Sequence, residues 1–320
     1  MKAVRIHEFG GVDKLQIDEV ETPQPKAGEV LIKVHVAGIN FADTMLRAGN
    51  YLSTPPLPHT MGFEVAGTIE TLGENVTGFE VGQRVVTTAG GGGYAEFAVA
   101  PALKIIPIPE GLSFGQATAL LVQGMTALGL LRDGDAKEGK SILIHAAAGG
   151  VGTLLVQLAK LRGLTVIGTA SSASKLETVM KFGADFAVNY TEENWTERIK
   201  EITEKRGVDI IIEMAGGEIV AHNLSHLSRF GTMIVYGSAS GQDFGISALG
   251  LMRKNHIVRG YWLSNETPLD LAKFAGELVG YVNAGKLEVI VQEFPFERVA
   301  DAHQAIESRQ TQGKVVLTVA

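Results

Sequence analysis

At 320 residues and 45% hydrophobic composition the chain is long enough for two domains with separate cores, and its formal net charge of -7 disfavours nonspecific binding to nucleic acid or to an anionic membrane. It contains no cysteine, which excludes disulfides, thiol nucleophiles and thiolate metal ligands, so any redox chemistry must use a bound cofactor. The opening MKAVRIHEFGG lacks the apolar core of a signal peptide and polar residues soon interrupt every apolar run elsewhere, which predicts a soluble, cytoplasmic protein.

From Met1 to about Pro109 the chain is dense in short alternating runs such as EVLIKVHVAG and QRVVTTAG, each closed by Gly, Asn or Pro, and this predicts a mostly β domain. TPPLPHTMG and AGGGGYAE read as loops within it, since apolar strands resume on each side. After QATALLVQGMTALGLL the pattern turns to strand, helix, strand, helix: SILIHAA, GTLLVQLAKLRG, TVIGTA, ASKLETVMKFG, FAVNY, WTERIKEITEKRG, VDIIIEMAG, VAHNLSHLSRFG, GTMIVYG. Apolar strands joined by amphipathic helices predict a doubly wound α/β domain with a parallel sheet. Past about Tyr261 come a helix over LDLAKFAGELVGYVNAGK, a strand near EVIVQEFP, a helix over VADAHQAIESRQ and a last strand, KVVLTVA. A tail of this kind can fold back on the first domain and make it discontinuous.

Ile142 to Ala146 reads as a buried strand and Thr153 to Lys160 as the opening of a helix, leaving Ala147 to Gly152 as the turn between them. The spacing A-x-G-x-x-G over Ala147, Gly149 and Gly152 suits a dinucleotide, because glycines let backbone approach a pyrophosphate and the helix N-terminus supplies oriented N–H groups. About twenty residues further on, an NAD-binding chain usually places an Asp or Glu against the ribose 2′-hydroxyl. Here stand Ser171, Ser172 and Lys175, two hydroxyls and an ammonium that suit a 2′-phosphate, so NADPH is expected over NADH. The same serines can equally cap the helix ASKLETVMKFG, with Lys175 a solvated surface group.

These residues resemble the medium-chain dehydrogenase/reductase superfamily, in its zinc-independent quinone oxidoreductase branch, which includes the zeta-crystallins. The resemblance runs along the whole chain through AGINFADTMLRAGNY, MGFEVAGTIETLGENVTGFEVGQRV, GGYAEFA, QGMTAL, HAAAGGVG, GTASSASK, GADFAVNY, YGSASG and SRQTQGKVVL. It implies a Rossmann NADP-binding domain over residues 119–261, and a GroES-like, mostly β catalytic domain over 1–118 completed by 262–320. An active cleft where the two meet and a homodimer are implied as well. Carried over by residue, Gly149, Gly150 and Val151 would meet the pyrophosphate, and Ser171, Ser172 and Lys175 the adenosine phosphate. Tyr190 would lie beside the adenosine and Arg309 would reach the cofactor, with Phe41 and Thr126 as further contacts, Thr126 towards the nicotinamide ribose. Tyr236, Gly237 and Ser238, with Tyr261, Trp262 and Leu263, would line the nicotinamide half. A tyrosine that the family often carries shortly after this threonine is replaced by Gly129, which implies a more open pocket.

Zinc-dependent relatives place a cysteine ligand where Asn40 stands and Gly-His-Glu where this chain has Gly62-Phe63-Glu64, and their lobe of four cysteines is missing, so no metal is expected. His59 near Glu64 does not make up a site. Without a metal to polarise oxygen, electron-poor acceptors are favoured: quinones and α,β-unsaturated carbonyls. Asn40 is expected to donate to a substrate oxygen or fix a cofactor hydroxyl, Tyr51 to give or relay a proton, and Asp43 to orient a neighbour or a cofactor hydroxyl. Turn chemistry is the competing account of Asn40 and Asp43, and loop packing that of Tyr51. Quinone reduction by NADPH is thus the leading expectation. Reduction of a 2-enal, 2-enone or enoyl thioester is the alternative, and a non-enzymatic NADPH-binding protein the second.

Overall fold

The computed structural model describes residues 1–242 and 245–319; Asp243, Phe244 and Ala320 lie outside them. The chain divides into one unit of residues 1–122 with 290–320 and a second unit of residues 123–289.

The first unit carries β1 (Lys2–Ile6), β2 (Gln16–Glu19), β3 (Glu29–Ile39), α1 (Phe41–Arg47), β4 (His59–Thr60), β5 (Glu64–Leu72), β6 (Arg84–Thr88), β7 (Phe97–Pro101), β8 (Ile106–Pro107) and α2 (Phe114–Ala119). The second runs through α3 (Met125–Asp133), β9 (Ser141–Ile144), α4 (Gly150–Leu161), β10 (Thr165–Ala170), α5 (Ala173–Lys181), β11 (Phe186–Asn189), α6 (Trp195–Ile202), β12 (Val208–Glu213), α7 (Glu218–His226), β13 (Leu227–Val235), α8 (Ala248–Lys254), β14 (Ile257–Gly260) and α9 (Pro268–Asn283). The chain then returns to the first unit with β15 (Val291–Pro295), α10 (Val299–Glu307) and β16 (Lys314–Thr318).

In the first unit, β16 pairs antiparallel with β3, and β3 with β5, in the order β15-β16-β3-β5-β6-β8, with β7 also on β3. A smaller sheet, β2-β1-β4, lies beside this order. The core between them is built of β-branched and aromatic side chains, among them Val4, Ile6, Ile32, Val34, Tyr94, Phe296 and Val315. The registers matter for chemistry: Val315 faces Ile39 and Gly38 faces Glu64, so Lys314, Asn40 and Glu64 come to one end of three neighbouring strands.

The second unit is a six-stranded, wholly parallel sheet in the order β11-β10-β9-β12-β13-β14. Its central strands are mostly apolar, as expected of strands covered on both faces: β9 is buried at all four positions and Ile210, Ile211 and Ile212 of β12 are buried. Neighbouring β9 and β12 are the first and fourth strands of this sheet in chain order, so the winding reverses between them and opens a crevice at their carboxyl ends.

Two expectations are corrected. The helix after the glycine turn opens at Gly150, three residues before Thr153, because glycine and valine take helical geometry once Gly149 has capped it in extended conformation (φ -77°, ψ -178°). The expected boundary at residue 262 also moves: α9 stays with the second unit, and the return to the first begins at Ile290. Side chains hold the segment there: Arg132 of α3 forms a bidentate pair with Glu266 at 2.6 and 2.7 Å, and its guanidinium stacks over Phe274 of α9. The amide of Gln157 on α4 exchanges two hydrogen bonds with the Glu288 backbone.

Candidate functional site

Because paired strands run side by side, whatever follows them lines up along the carboxyl edge of the second sheet. Ile144 of β9 is in register with Gly168 of β10 and with Ile212 of β12, Ala170 with Asn189 of β11, and Glu213 with Val235 of β13. The turn after β9, with Gly149, Gly150 and Val151, is therefore flanked on one side by Ser171, Ser172 and Lys175 and then by Tyr190. On its other side come residues 214–217 and then Tyr236, Gly237 and Ser238. The structure brings these expected contacts together in the order that an extended dinucleotide requires.

The turn itself is shaped by close approach. Ala146 sits in the left-handed region at φ 50°, and the Gly149 amide donates back to its carbonyl at 2.9 Å. A Cβ on Gly152 would strike the Ala146 carbonyl and stand 2.7 Å from Ala147 backbone, so this glycine serves strand–helix packing. A Cβ on Gly150 would collide with the side chain of Gln123. Gly149 differs in degree: a Cβ there meets only the Ala146 carbonyl, at 3.2 Å, a tight but milder contact than at Gly150 or Gly152, which leaves room for a ligand that hugs the backbone to account for the glycine. The first amides of α4 have no carbonyl within the helix to bond, and they face the same space with the helix dipole behind them.

Ser172 is the N-cap residue of α5, yet its hydroxyl makes no capping bond to the helix; it lies 3.4 Å from the Ser174 hydroxyl and is exposed. The serine hydroxyl is thus exposed at the strand end, and it and the glycine turn fit the phosphates of NADPH. Gln123 was missed from sequence. It lies in a π-helical turn over Leu120–Gly124, and its side-chain oxygen is buried without a partner against Gly150, an acceptor suited to a cofactor hydroxyl or amide. Its only signal was the polar residue in VQGMT.

The open pocket expected at Gly129 is corrected: a Cβ there would overlap the Tyr261 hydroxyl, so Tyr261, 8% exposed, already fills that space. Thr126 is 6% exposed near the start of α3. Trp262, half-exposed, and Leu263 follow β14 at the far end of the row.

In the first unit the expected catalytic residues meet a buried polar cluster. Asn40 caps α1; its backbone N–H donates to the Asp43 carboxylate at 2.7 Å, its amide nitrogen donates to Glu64 at 2.8 Å, and its amide oxygen accepts from Lys314 at 3.0 Å. Lys314 and Glu64 form a fully buried ion pair, and Gly38 is glycine because a Cβ would overlap the Glu64 carboxylate. Asp43, at 0% exposure, is placed to orient a neighbour: its carboxylate caps α1 through the Asn40 N–H. Burial pushes its carboxyl up to about 7, with Asn40 and Lys314 opposing and Glu64 adding to the rise. Buried Tyr94, beside Asp43, is pushed well above the usual phenol range by the same loss of solvent. Tyr51 is half-buried, its ring 6.1 Å from that of Phe63, the residue standing where zinc-dependent relatives carry histidine. Phe41 opens α1 and Arg309, exposed at φ 56°, follows α10. His59 is held below the usual imidazole range by burial, and Glu64 is committed to Lys314. Among the described residues no group of three or more His, Asp or Glu side chains could hold a metal ion.

A parallel sheet with one winding reversal, a glycine turn at that reversal and an anion-suited strand end define a Rossmann dinucleotide unit. Residues 150–279 match the family described as zinc-binding dehydrogenase, and residues 26–110 match the alcohol dehydrogenase GroES-like domain. The human protein named quinone oxidoreductase is 37% identical over 322 residues, covering 99% of this chain and 97% of its own. The Pseudomonas aeruginosa protein of that name is 33% identical, covering 99% of each. The solved structure of Escherichia coli quinone oxidoreductase complexed with NADPH superposes with a TM-score of 0.95 at 33% identity, covering 100% of both chains. The chain belongs to the medium-chain dehydrogenase/reductase superfamily, in its quinone oxidoreductase branch.

Proposed function

We propose that the protein is an NADPH-dependent quinone oxidoreductase that works without zinc, in the cytoplasm, as a homodimer. The observation that carries the reading is the carboxyl edge of the second sheet: a glycine turn at the reversal of winding, next to a strand end with two serines and a lysine in place of a carboxylate. When bound, NADPH supplies a hydride from its nicotinamide ring, the reduction that electron-poor acceptors take without Lewis-acid help. The amides of Gly150 and Val151, with Gly149 letting the backbone approach, would hold the pyrophosphate, and Ser171, Ser172 and Lys175 the 2′-phosphate. Gln123 would anchor a cofactor hydroxyl or amide.

Addition of hydride to a quinone leaves a hydroquinone anion, which needs a hydrogen-bond donor and then one proton. Asn40 has two amide N–H groups, of which one is spent on Glu64, and Tyr51 carries a phenol; these are the donors that the first unit offers. Zinc independence rests on ligand chemistry, since the chain has no cysteine and Phe63 carries no donor. The dimer is supported by the outer edge of β14, where Ile257, Trp262, Leu249 and Met252 are each at least half exposed. Cytoplasmic location suits a soluble reduced cofactor.

The test is NADPH oxidation against a benzoquinone, an ortho-quinone, a 2-enal and an enoyl thioester, followed by the loss of cofactor absorbance. Preference for quinones is expected. Preference for the enal or thioester would move the function to alkene reduction, and binding without oxidation would leave a cofactor-binding protein.

A further inference from the structure

Beneath the carboxyl edge of the second sheet runs a line of buried polar side chains that no expectation covered. His145, at the end of β9, is 1% exposed; its Nδ1 lies 3.0 Å from the Thr169 hydroxyl on β10, and its Nε2 lies 2.8 Å from Oδ1 of Asn223 on α7. Asn223 donates through Nδ2 to Oε2 of Glu213 at 2.6 Å, and Oε1 of Glu213 accepts from the backbone N–H of Ala215 and, at 2.8 Å, from that of Gly216. Thr169, Asn223 and Glu213 are each 0% exposed.

The protons can be assigned from one end. Turned over, the Asn223 amide would set its oxygen against a carboxylate, so Nδ2 faces Glu213 and Oδ1 faces His145. Oδ1 is an acceptor, so the histidine carries its proton on Nε2, and in the neutral ring Nδ1 takes the Thr169 proton. Every bond then points towards Glu213, which gathers three donors on two oxygens. What it holds is a turn unable to hold itself: Gly216 and Gly217 both lie at positive φ, 74° and 59°. That turn in turn seats the segment after β13, because Ala239 N–H bonds the Met214 carbonyl and Ser240 N–H the Ala215 carbonyl, both at 2.8 Å.

We infer that Glu213, oriented through Asn223 and His145, is a positioning residue that sets residues 214–217, and through them Tyr236 to Ser238, for the nicotinamide half of NADPH. The inference rests on the NADPH reading above. Its reach is one-sided: Ser171 and Lys175 belong to the turn after β10 and to α5, so the phosphate end of the cofactor is held independently of Glu213.

Glu213→Gln replaces one acceptor oxygen by a donor, so either a donor–donor conflict stands at Asn223 or the turn, or Asn223, the His145 tautomer and Thr169 must all reverse at the cost of the Thr169 donation. Glu213→Gln combined with Asn223→Asp reverses that single bond and restores every other one at unchanged net charge. Hydrogen exchange of residues 213–217 and 236–241 is measured without cofactor, alongside NADPH affinity by fluorescence and steady-state kinetics. In Glu213→Gln, exchange in both segments is expected to rise at least about tenfold, the loss of one charge-assisted bond. kcat falls about tenfold while the dissociation constant for NADPH rises less than about threefold, since the phosphate end is intact. The double variant returns to wild-type values. Unchanged exchange and kcat in the single variant overturn the inference. So does a double variant that folds but stays unprotected, a test that stands even where the single variant does not fold. A wild-type protein that neither binds nor oxidises NADPH overturns the functional reading instead, while the exchange results still report on the clasp.

Discussion

Asp43 is a carboxyl held at 0% exposure with a folded-state value of about 7, against an ordinary 3.8. The sign follows from linkage. The folded protein keeps a proton on this group that the unfolded chain has released, so the group's contribution to stability is complete below about pH 4 and is lost as pH rises through about 7. The gap of about three units, at 1.36 kcal/mol each, makes the loss on the order of 4 kcal/mol. Asp43→Asn keeps an acceptor for the Asn40 N–H and removes the charge, so relative to wild type the variant should gain stability from about pH 4 upward, about 1 kcal/mol of the gain being present by about pH 4.5 and all of it above about pH 8. Wild type alone would hide this, because burial pushes His303 down to about 3 and His226 to about 4, and their contributions are lost in the opposite direction, as pH falls. Urea unfolding followed by far-ultraviolet circular dichroism, across that pH range, gives the difference between the two proteins. Parallel stability curves would refute the argument and mean that the Asp43 carboxylate is solvated or compensated in the fold.

Gly149 and Gly152 separate ligand from packing. Gly149→Ala should leave unfolding within about 1 kcal/mol of wild type but weaken NADPH, whereas Gly152→Ala should cost about 1–3 kcal/mol of stability by forcing a Cβ onto Ala146 and Ala147. Calorimetry and cofactor titration read the two. Lys175→Ala should raise KM for NADPH about tenfold and leave NADH unchanged, as expected for one charged contact to the 2′-phosphate; equal loss for both cofactors removes that assignment. Lys314→Met should destabilise by about 3–5 kcal/mol by stranding the buried Glu64 carboxylate, and Lys314→Met with Glu64→Gln should recover much of it. Additive losses in the double variant would show that the pair does not act as a pair. Tyr51→Phe should lower turnover with little change in cofactor affinity, read in the same kinetic assay.

What was legible in the sequence was local. The alternation of apolar strand and amphipathic helix, the glycine turn and the serines after β10 lie within about thirty residues of each other, and periodicity and turn chemistry act over that range. The opposite case is Lys314: a lysine opening a strand reads as a solvated end, and only pairing with β3 sets it against residues more than 200 positions earlier. Asp43 and Asn40 supported two accounts, and burial decided for the cap at Asp43. Tyr261 shows how a gap in a pattern misleads, since the space at Gly129 was taken by a side chain from 132 positions further on, a substitution visible only in packing. The assignment of α9 failed for a similar reason: its attachment depends on Arg132 meeting Glu266 and Phe274, and a helix that amphipathic could have covered either unit.

The return of β16 also orders events during synthesis. The second unit is a continuous run of chain, and all its strands have been made before β15 and β16 emerge from the ribosome. The first unit waits: Glu64 is already in place on β5 while its cation is still 250 residues away along the chain, and β3 has an open edge where β16 will pair. A nascent chain therefore carries a half-built sheet and an uncompensated acid for most of its translation, the form in which a chaperone would meet it. The last strand to be made is the one that removes both liabilities at once.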